Sequence, residues 1–306
     1  MPPATENDIS SHLDALEAEA IWVLREAFSA FQKPVILYSV GKDSSVLLHL
    51  ARKAVFPAPL EVPVLHIDTT WKFAEMITFR NSTAKQLGLN LLVHTNSAGV
   101  AENITPFTRN ADEYTRIMKT VALREALDMH GFDLAVGGAR RDEERSRAKE
   151  RIFSLRESGH RWNPRSQRPE FWRTVNSHLS EGQTMRAFPL SNWTELDVWR
   201  YIRRESIDIV SLYFTKPRPT VVRQQKLIVV DDDRFKLNPG ETPEIRDVRF
   251  RTLGCYPLTA GEQSVALSLD DIIHDLETTQ LSERAGRLID GEGMSSMEAK
   301  KVEGYF

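Results

Sequence analysis

Seven consecutive residues, Ser39-Val40-Gly41-Lys42-Asp43-Ser44-Ser45, combine the side chains that hold an anion. Lys42 supplies a point charge, and Ser39, Ser44 and Ser45 supply hydroxyls. Gly41 lets the backbone approach a ligand closely. The segment lies between an apolar run, Val35 to Tyr38, and an apolar face at helical spacing made by Val46, Leu47, Leu50, Ala51 and Ala54. A strand–loop–helix turn of this kind aims backbone N–H groups and the positive end of a helix at one point. The natural ligand is a phosphate. The bland alternative is an ordinary turn in which Asp43 and the serines cap the helix. A Walker A loop is excluded, because Ile36 and Asp43 stand where that pattern needs Gly and Ser or Thr.

Further stretches carry candidate chemistry. Asp68-Thr69-Thr70-Trp71-Lys72-Phe73 follows an apolar run and sets two aromatics, Trp71 and Phe73, and a cation, Lys72, beside its end; the bland reading makes the aromatics core and Lys72 solvated. Asp43 and Asp68 are candidate ligands for Mg2+, a hard cation that prefers oxygen donors. Gly137-Gly138-Ala139-Arg140-Arg141 ends an apolar run and opens the most charged stretch of the chain. It reads as a helix leaving a strand end, with Arg140 and Arg141 in the crevice and Arg145 and Arg147 as further anion candidates. Arg249 and Arg251 precede the Gly254 turn as two more. Cys255 has no evident activating base and is a poor candidate nucleophile.

The elements that must position these residues follow from periodicity. Residues 9–32 read as an amphipathic helix. Strands are expected at 35–38, 63–68, 89–94, 132–139 and 184–190. Helices are expected at 73–87, at 115–130 ending on Gly131, and from Asn192 through Arg203 with Thr194 as N-cap. The alternation predicts an α/β fold, a parallel five-stranded sheet with helices on both faces. Ligands in such sheets sit beyond the strand C-termini, where residues 39–45, 68–73 and 137–141 all fall. Residues 1–207 are expected to form this α/β domain, with an inserted basic and aromatic loop at 156–185 that includes Phe171 and Trp172. Residues 208–306 are expected to be a C-terminal extension, with a helix at 267–281, that completes the substrate site and a partner surface.

Bulk composition narrows the class. The chain has 306 residues, 41% hydrophobic and 27% charged, enough for a sizeable core. A net charge of -3 gives no global attraction to nucleic acid or anionic membrane. The lone cysteine excludes an intrachain disulfide, an all-cysteine zinc site and an iron–sulfur cluster built by this chain alone. With no basic and apolar leader after Met1, the cytoplasm is the expected compartment.

The order S-x-G-K-D-S resembles the pyrophosphate loop of the ATP-pyrophosphatase superfamily, usually S-G-G-x-D-S. Val40 is the departure from it. With YSVGKDSSVLLHLARKA at 38–54, HIDTTWKF at 66–73 and GGARRDEERSRAKERI at 137–152, the chain resembles the small, catalytic subunits of heterodimeric ATP sulfurylases. FPLSNWTELDVWRYI at 188–202, RFRTLGCYPLT at 249–259 and the ending KKVEGYF extend the likeness to nearly the whole chain. Thr70 stands where such subunits often have Gly. The resemblance implies an adenine nucleotide α-hydrolase-like fold and a nucleotidyltransferase of sulfate assimilation. It would make adenosine 5′-phosphosulfate and pyrophosphate from Mg2+-bound ATP and sulfate. A larger GTP-binding subunit is the implied partner. Lys42, Arg140, Arg141 and Arg251 are the expected catalytic cations. Ser39–Ser45, Asp68, Trp71, Lys72, Phe73, Gly137 and Gly138 would hold ATP. The alternatives are an adenylyl- or phosphoadenylyl-sulfate reductase, a thiol-adding tRNA enzyme and a non-catalytic nucleotide-binding module. The first two typically need cysteines that this chain lacks.

Overall fold

The computed structural model describes residues 6–143, 145–170, 174–278 and 303, at 145 and 146 by backbone alone. Phe171 and Trp172, the Arg145 side chain, and the tail after 278 apart from 303 lie outside the described residues.

Five strands run parallel, as the alternation predicts: β1 (Pro34–Leu37), β2 (Val64–Ile67), β3 (Leu91–His94), β4 (Leu134–Val136) and β7 (Thr184–Ala187). Two more, β5 (Phe153–Glu157) and β6 (Arg161–Trp162), extend the β7 edge antiparallel, so the sheet has seven strands rather than five. The order is β3-β2-β1-β4-β7-β5-β6. The sequence hid β5 because its alternate positions are Ser154 and Arg156. Those are buried like Phe153 and Leu155, so the strand carries polar side chains on one face and has no solvated face.

Helices cover both faces. On one side α1 (Glu6–Ala30) and α2 (Lys42–Val55) pack on Ile36, Val64 and Val136. On the other, α6 (Ala122–His130) places Leu123, Ala126 and Leu127 against Val35, Leu65 and Ala135. Leu47 and Leu50 of α2 are fully buried. Each such side chain contributes about 1.5–3 kcal/mol, which fixes the helix that carries the loop. Gly131 ends α6 with a φ of 65°, the left-handed cap that its position suggested.

The helix expected at 115–130 is divided. A short α5 (Ala111–Thr115) runs into a π-helical turn, Arg116–Val121, before α6. The charge run after Gly138 is not an α-helix. It forms a turn and a 3-10 segment, Arg145–Lys149, and along the run Arg140, Arg147 and Glu150 are buried while Asp142, Lys149 and Arg151 are exposed. After α7 (Glu195–Glu205), an antiparallel sheet in the order β11-β10-β8-β9 is built from β8 (Lys216–Arg223), β9 (Lys226–Val229), β10 (Glu244–Arg249) and β11 (Glu262–Gln263). Val248 and Phe250 join the same core as α2. α8 (Leu269–Thr278) follows. No described helix is long and apolar enough to cross a membrane.

Candidate active site

Gly41 is the N-cap residue of α2, and no side chain caps the helix, so the bland reading of Asp43 and the serines as caps does not hold. The Ser44 hydroxyl instead donates to the Gly41 carbonyl at 2.9 Å, and Ser39 lies 3.2 Å from it. The Lys42 N–H donates to the Tyr213 hydroxyl at 2.7 Å. A cavity of about 200 Å³ opens at this point, at the C-terminal ends of the parallel strands.

The cavity draws on segments far apart in sequence. Ser39, Gly41, Lys42, Asp43 and Ser44 form one wall. Lys72, Gly138 and Arg147 come from the second and third stretches singled out above. A Cβ on Gly138 would lie 3.1 Å from the Asp43 backbone carbon, so a side chain there would push the β4 end and the loop apart by a few tenths of an ångström. Thr115, Lys119 and Leu123 line the cavity from the π-helical turn and its flanks, where local helix irregularity often accompanies function. Thr252, Gly254 and Cys255 enter from the loop after β10.

Lys42 is 1% exposed. Its ammonium lies 3.3 Å from Asp43 and 4.0 Å from Glu195. Arg140 donates to the other Asp43 oxygen at 2.6 Å, and Arg251 donates to Glu195 at 2.7 Å. The result is an alternating chain, Arg140–Asp43–Lys42–Glu195–Arg251, with Lys42 at its centre. Glu195, Tyr213 and Lys119 were missed from sequence. Glu195 reads as an acid in the first turn of α7, and Tyr213 lies in a stretch without periodicity.

The remaining expected residues fall elsewhere. Arg141 bonds to Asn192 and to the Glu150 carbonyl and lines a separate cavity with Trp22 and Phe153. Arg249 turns toward Glu262 at 2.7 Å and Asp275 at 3.8 Å. Ser45 is buried behind the loop, and Gly137 bonds through its N–H to Ala187 in the sheet. Neither lines the cavity. Trp71 packs on Tyr256 and Phe107 with Arg234 over its ring, and Phe73 packs on Phe250 and Tyr256. Both are core side chains. Asp68 accepts from the Thr70 N–H at 2.8 Å and lies 3.6 Å from Arg80, off the cavity lining.

The donor set suits a divalent cation only in part. Among the described residues no three His, Cys, Asp or Glu side chains gather as a metal cage. Mg2+ commonly needs only one or two carboxylates and takes its other ligands from phosphates and water. Asp43, on the cavity wall, fits that role. Asp68 does not line the cavity.

Residues 33–261 match the family model described as phosphoadenosine phosphosulfate reductase domain. A protein of Bradyrhizobium sp. named sulfate adenylyltransferase subunit 2 is 61% identical over 97% of this chain and 92% of its own. One of the same name from Azospirillum brasilense is 59% identical over 99% and 100%. The chain belongs to the sulfate adenylyltransferase subunit 2 family. Its members are nucleotidyltransferases by name, and the chain is an enzyme of that class. Among solved structures, the Candida glabrata FMN adenylyltransferase complex with FMN and AMPCPP superposes with a TM-score of 0.52 at 15% identity, over 94% of this chain and 91% of that one. That likeness shows the fold alone.

Proposed function

We propose that this subunit catalyses attack of sulfate on the α-phosphorus of ATP, giving adenosine 5′-phosphosulfate and pyrophosphate. The observation that carries the reading is the single cavity in which the uncapped α2 N-terminus and Lys42 stand with Arg147. Sulfate is a weak nucleophile without a proton to remove at neutral pH. Catalysis must therefore come from positioning and charge neutralisation. Lys42 and the loop N–H groups receive the β- and γ-phosphates, and the incoming polyanion competes with Asp43 and Glu195 for the ammonium. Mg2+, on Asp43 and phosphate oxygens, would neutralise charge on the leaving pyrophosphate. Arg147 holds sulfate. Arg140 and Arg251 act at one remove, orienting Asp43 and Glu195. Arg141 serves the fold of the 138–150 segment.

A reductase reading is disfavoured by Cys255, which is 5% exposed with its Sγ 3.4 Å from the Thr69 hydroxyl. The subunit number in the relatives' name supports a partner subunit. We assign that partner the GTP-binding role, in the cytoplasm. The test is to purify the full chain with the subunit that accompanies it and measure sulfate-dependent pyrophosphate release with and without GTP. Sulfate-dependent release, enhanced by GTP, is expected; pyrophosphate release indifferent to sulfate overturns the reading. In the same assay Arg147→Met should lower kcat/KM for sulfate about 100-fold, the scale of losing one charged donor to a transition state. An unchanged value would remove Arg147 from the site.

A further inference from the structure

The helical stretch that lines the active cavity also lines a second one. Thr115, Lys119 and Leu123, each four residues from the next, face the first cavity. Arg116, Thr120 and Arg124, one position further on, face a separate hollow of about 630 Å³. The π-helical turn Arg116–Val121 and its flanks thus present neighbouring faces to two cavities. A second wall of the hollow is the β5–β6 hairpin, through Ser158, Gly159 and Arg161, and Glu303 also lines it.

The hairpin tip is held in place. Gly159 and His160 are both left-handed, with φ of 72° and 61°. That conformation is strained for a residue with a Cβ, and the His160 ring is fixed by its partners. It is 3% exposed, with Nε2 2.9 Å from Asp128 of α6 and Nδ1 3.2 Å from Thr184 of β7. The tip is therefore tied both to the helix and to the sheet, which keeps the hollow between them open. A Cβ on Gly159 would stand 3.6 Å from Arg124 Nη2, so that guanidinium lies against the tip.

Three guanidiniums and the Glu303 carboxylate are the charged groups of the lining. Arg116 and Arg161 are exposed, and neither side chain makes an ion pair or hydrogen bond with a described residue. Arg124 Nη1 donates to the Glu303 backbone carbonyl at 3.5 Å, a long bond. Two acids nearby are engaged. Asp128 faces His160, and hydrogen bonds from Ser166 and Asn163, with the charge of Arg161, hold the Glu157 carboxyl below the usual carboxylate range. A guanidinium fork matches a pair of phosphate oxygens, and Thr120 and Ser158 add hydroxyls. The volume is that of a small-molecule site rather than of a lone ion.

We propose that this hollow is an accessory site for a phosphate chain, a diphosphate or the polyphosphate end of a nucleotide, held by Arg116, Arg124 and Arg161 apart from the active cavity. The inference does not depend on the reaction proposed above. Glu303 repels such a ligand and sets its affinity lower than the arginines alone would.

The probe is pyrophosphate, titrated by calorimetry into the full chain with its accompanying subunit at about 0.15 M chloride, where loose surface attraction is screened. Every other site that takes the probe is common to wild type and variants, so the difference between them is the readout. Wild type should show one saturable site more per chain than the double variant Arg116→Gln/Arg161→Gln. Arg116→Gln alone should weaken that site about tenfold, the scale of one charged hydrogen-bonding partner. Glu303→Gln should tighten it about threefold, by removing a like charge. Both arginines are exposed and lack described partners, so the double variant should keep the wild-type circular dichroism and melting curve. Equal stoichiometry and affinity in wild type and the double variant overturn the proposal. Weaker binding in Glu303→Gln overturns it as well, because the ionised carboxylate has no proton to donate to a phosphate.

Discussion

Two residues depart from the glycines of the sequences that this chain resembles, and both occupy the left-handed backbone region. Val40 has a φ of 69° and Thr70 a φ of 65°. For β-branched residues that conformation costs about 1–2 kcal/mol. At Thr70 the side chain is exposed, so glycine relieves strain and forfeits no burial. Glycine adds unfolded-state entropy worth about 0.5–1 kcal/mol, which trims the gain. Thr70→Gly should therefore stabilise by about 0.5–1 kcal/mol in urea unfolding, and a loss of stability would refute the strain argument. At Val40 the balance differs. Its side chain is 1% exposed, and burial worth about 1.5 kcal/mol offsets the strain. Val40→Gly should come out near zero or destabilising.

Among the elements, α7 matters more than its distance in sequence suggests. Its first residue, Glu195, reaches Lys42 and Arg251. The helix start is held by a capping box: the Thr194 hydroxyl accepts from the Asp197 N–H at 3.1 Å, and the Thr194 N–H donates to the Asp197 carboxylate at 2.9 Å. Thr194→Ala should cost about 1 kcal/mol of stability, while Thr194→Ser should keep most of it. Chemical denaturation of the pair checks this, and equal midpoints for Ala and Ser would show that the cap is idle. The π-helical turn plays a comparable part, since its extra residue per turn helps bring Thr115, Lys119 and Leu123 to the cavity.

At the scale of the whole molecule, packing of the sheet decides a pH response. His66 on β2 is 1% exposed, and its Nδ1 faces the Tyr38 carbonyl at 2.8 Å. Burial, with Lys72 nearby, lowers its pKa from 6.5 to about 3. The folded state keeps the ring neutral while the unfolded chain protonates it below its ordinary pKa. Stability from this group is thus complete above 6.5 and declines as pH falls toward about 3. The slope is about 1.4 kcal/mol per pH unit. In His66→Asn, which keeps a donor for the Tyr38 carbonyl, the pH dependence of the unfolding free energy across this window should flatten by that amount. An unchanged slope would mean that His66 protonates freely in the folded state.

Sequence by itself determined the parts governed by local rules. The parallel core strands, the loop before α2, the Gly131 and Thr194 caps and the family likeness all rest on periodicity, turn chemistry and near-neighbour types, and all are legible in one dimension. It also placed Lys42, Lys72, Gly138 and Arg147 among the residues to watch. Only the tertiary structure decided what each charge faces. Trp71 and Phe73 went to the core, Arg249 to the second sheet, and Arg140 and Arg251 to carboxylates rather than the cavity. β5 and β6 became visible only in three dimensions, because Arg156 is buried in a cluster whose members come from two strands and a loop. The physical reason is that a helix or a cap depends on neighbours along the chain. An ion pair depends on which segments folding brings together, and the linear order of residues carries no record of that meeting.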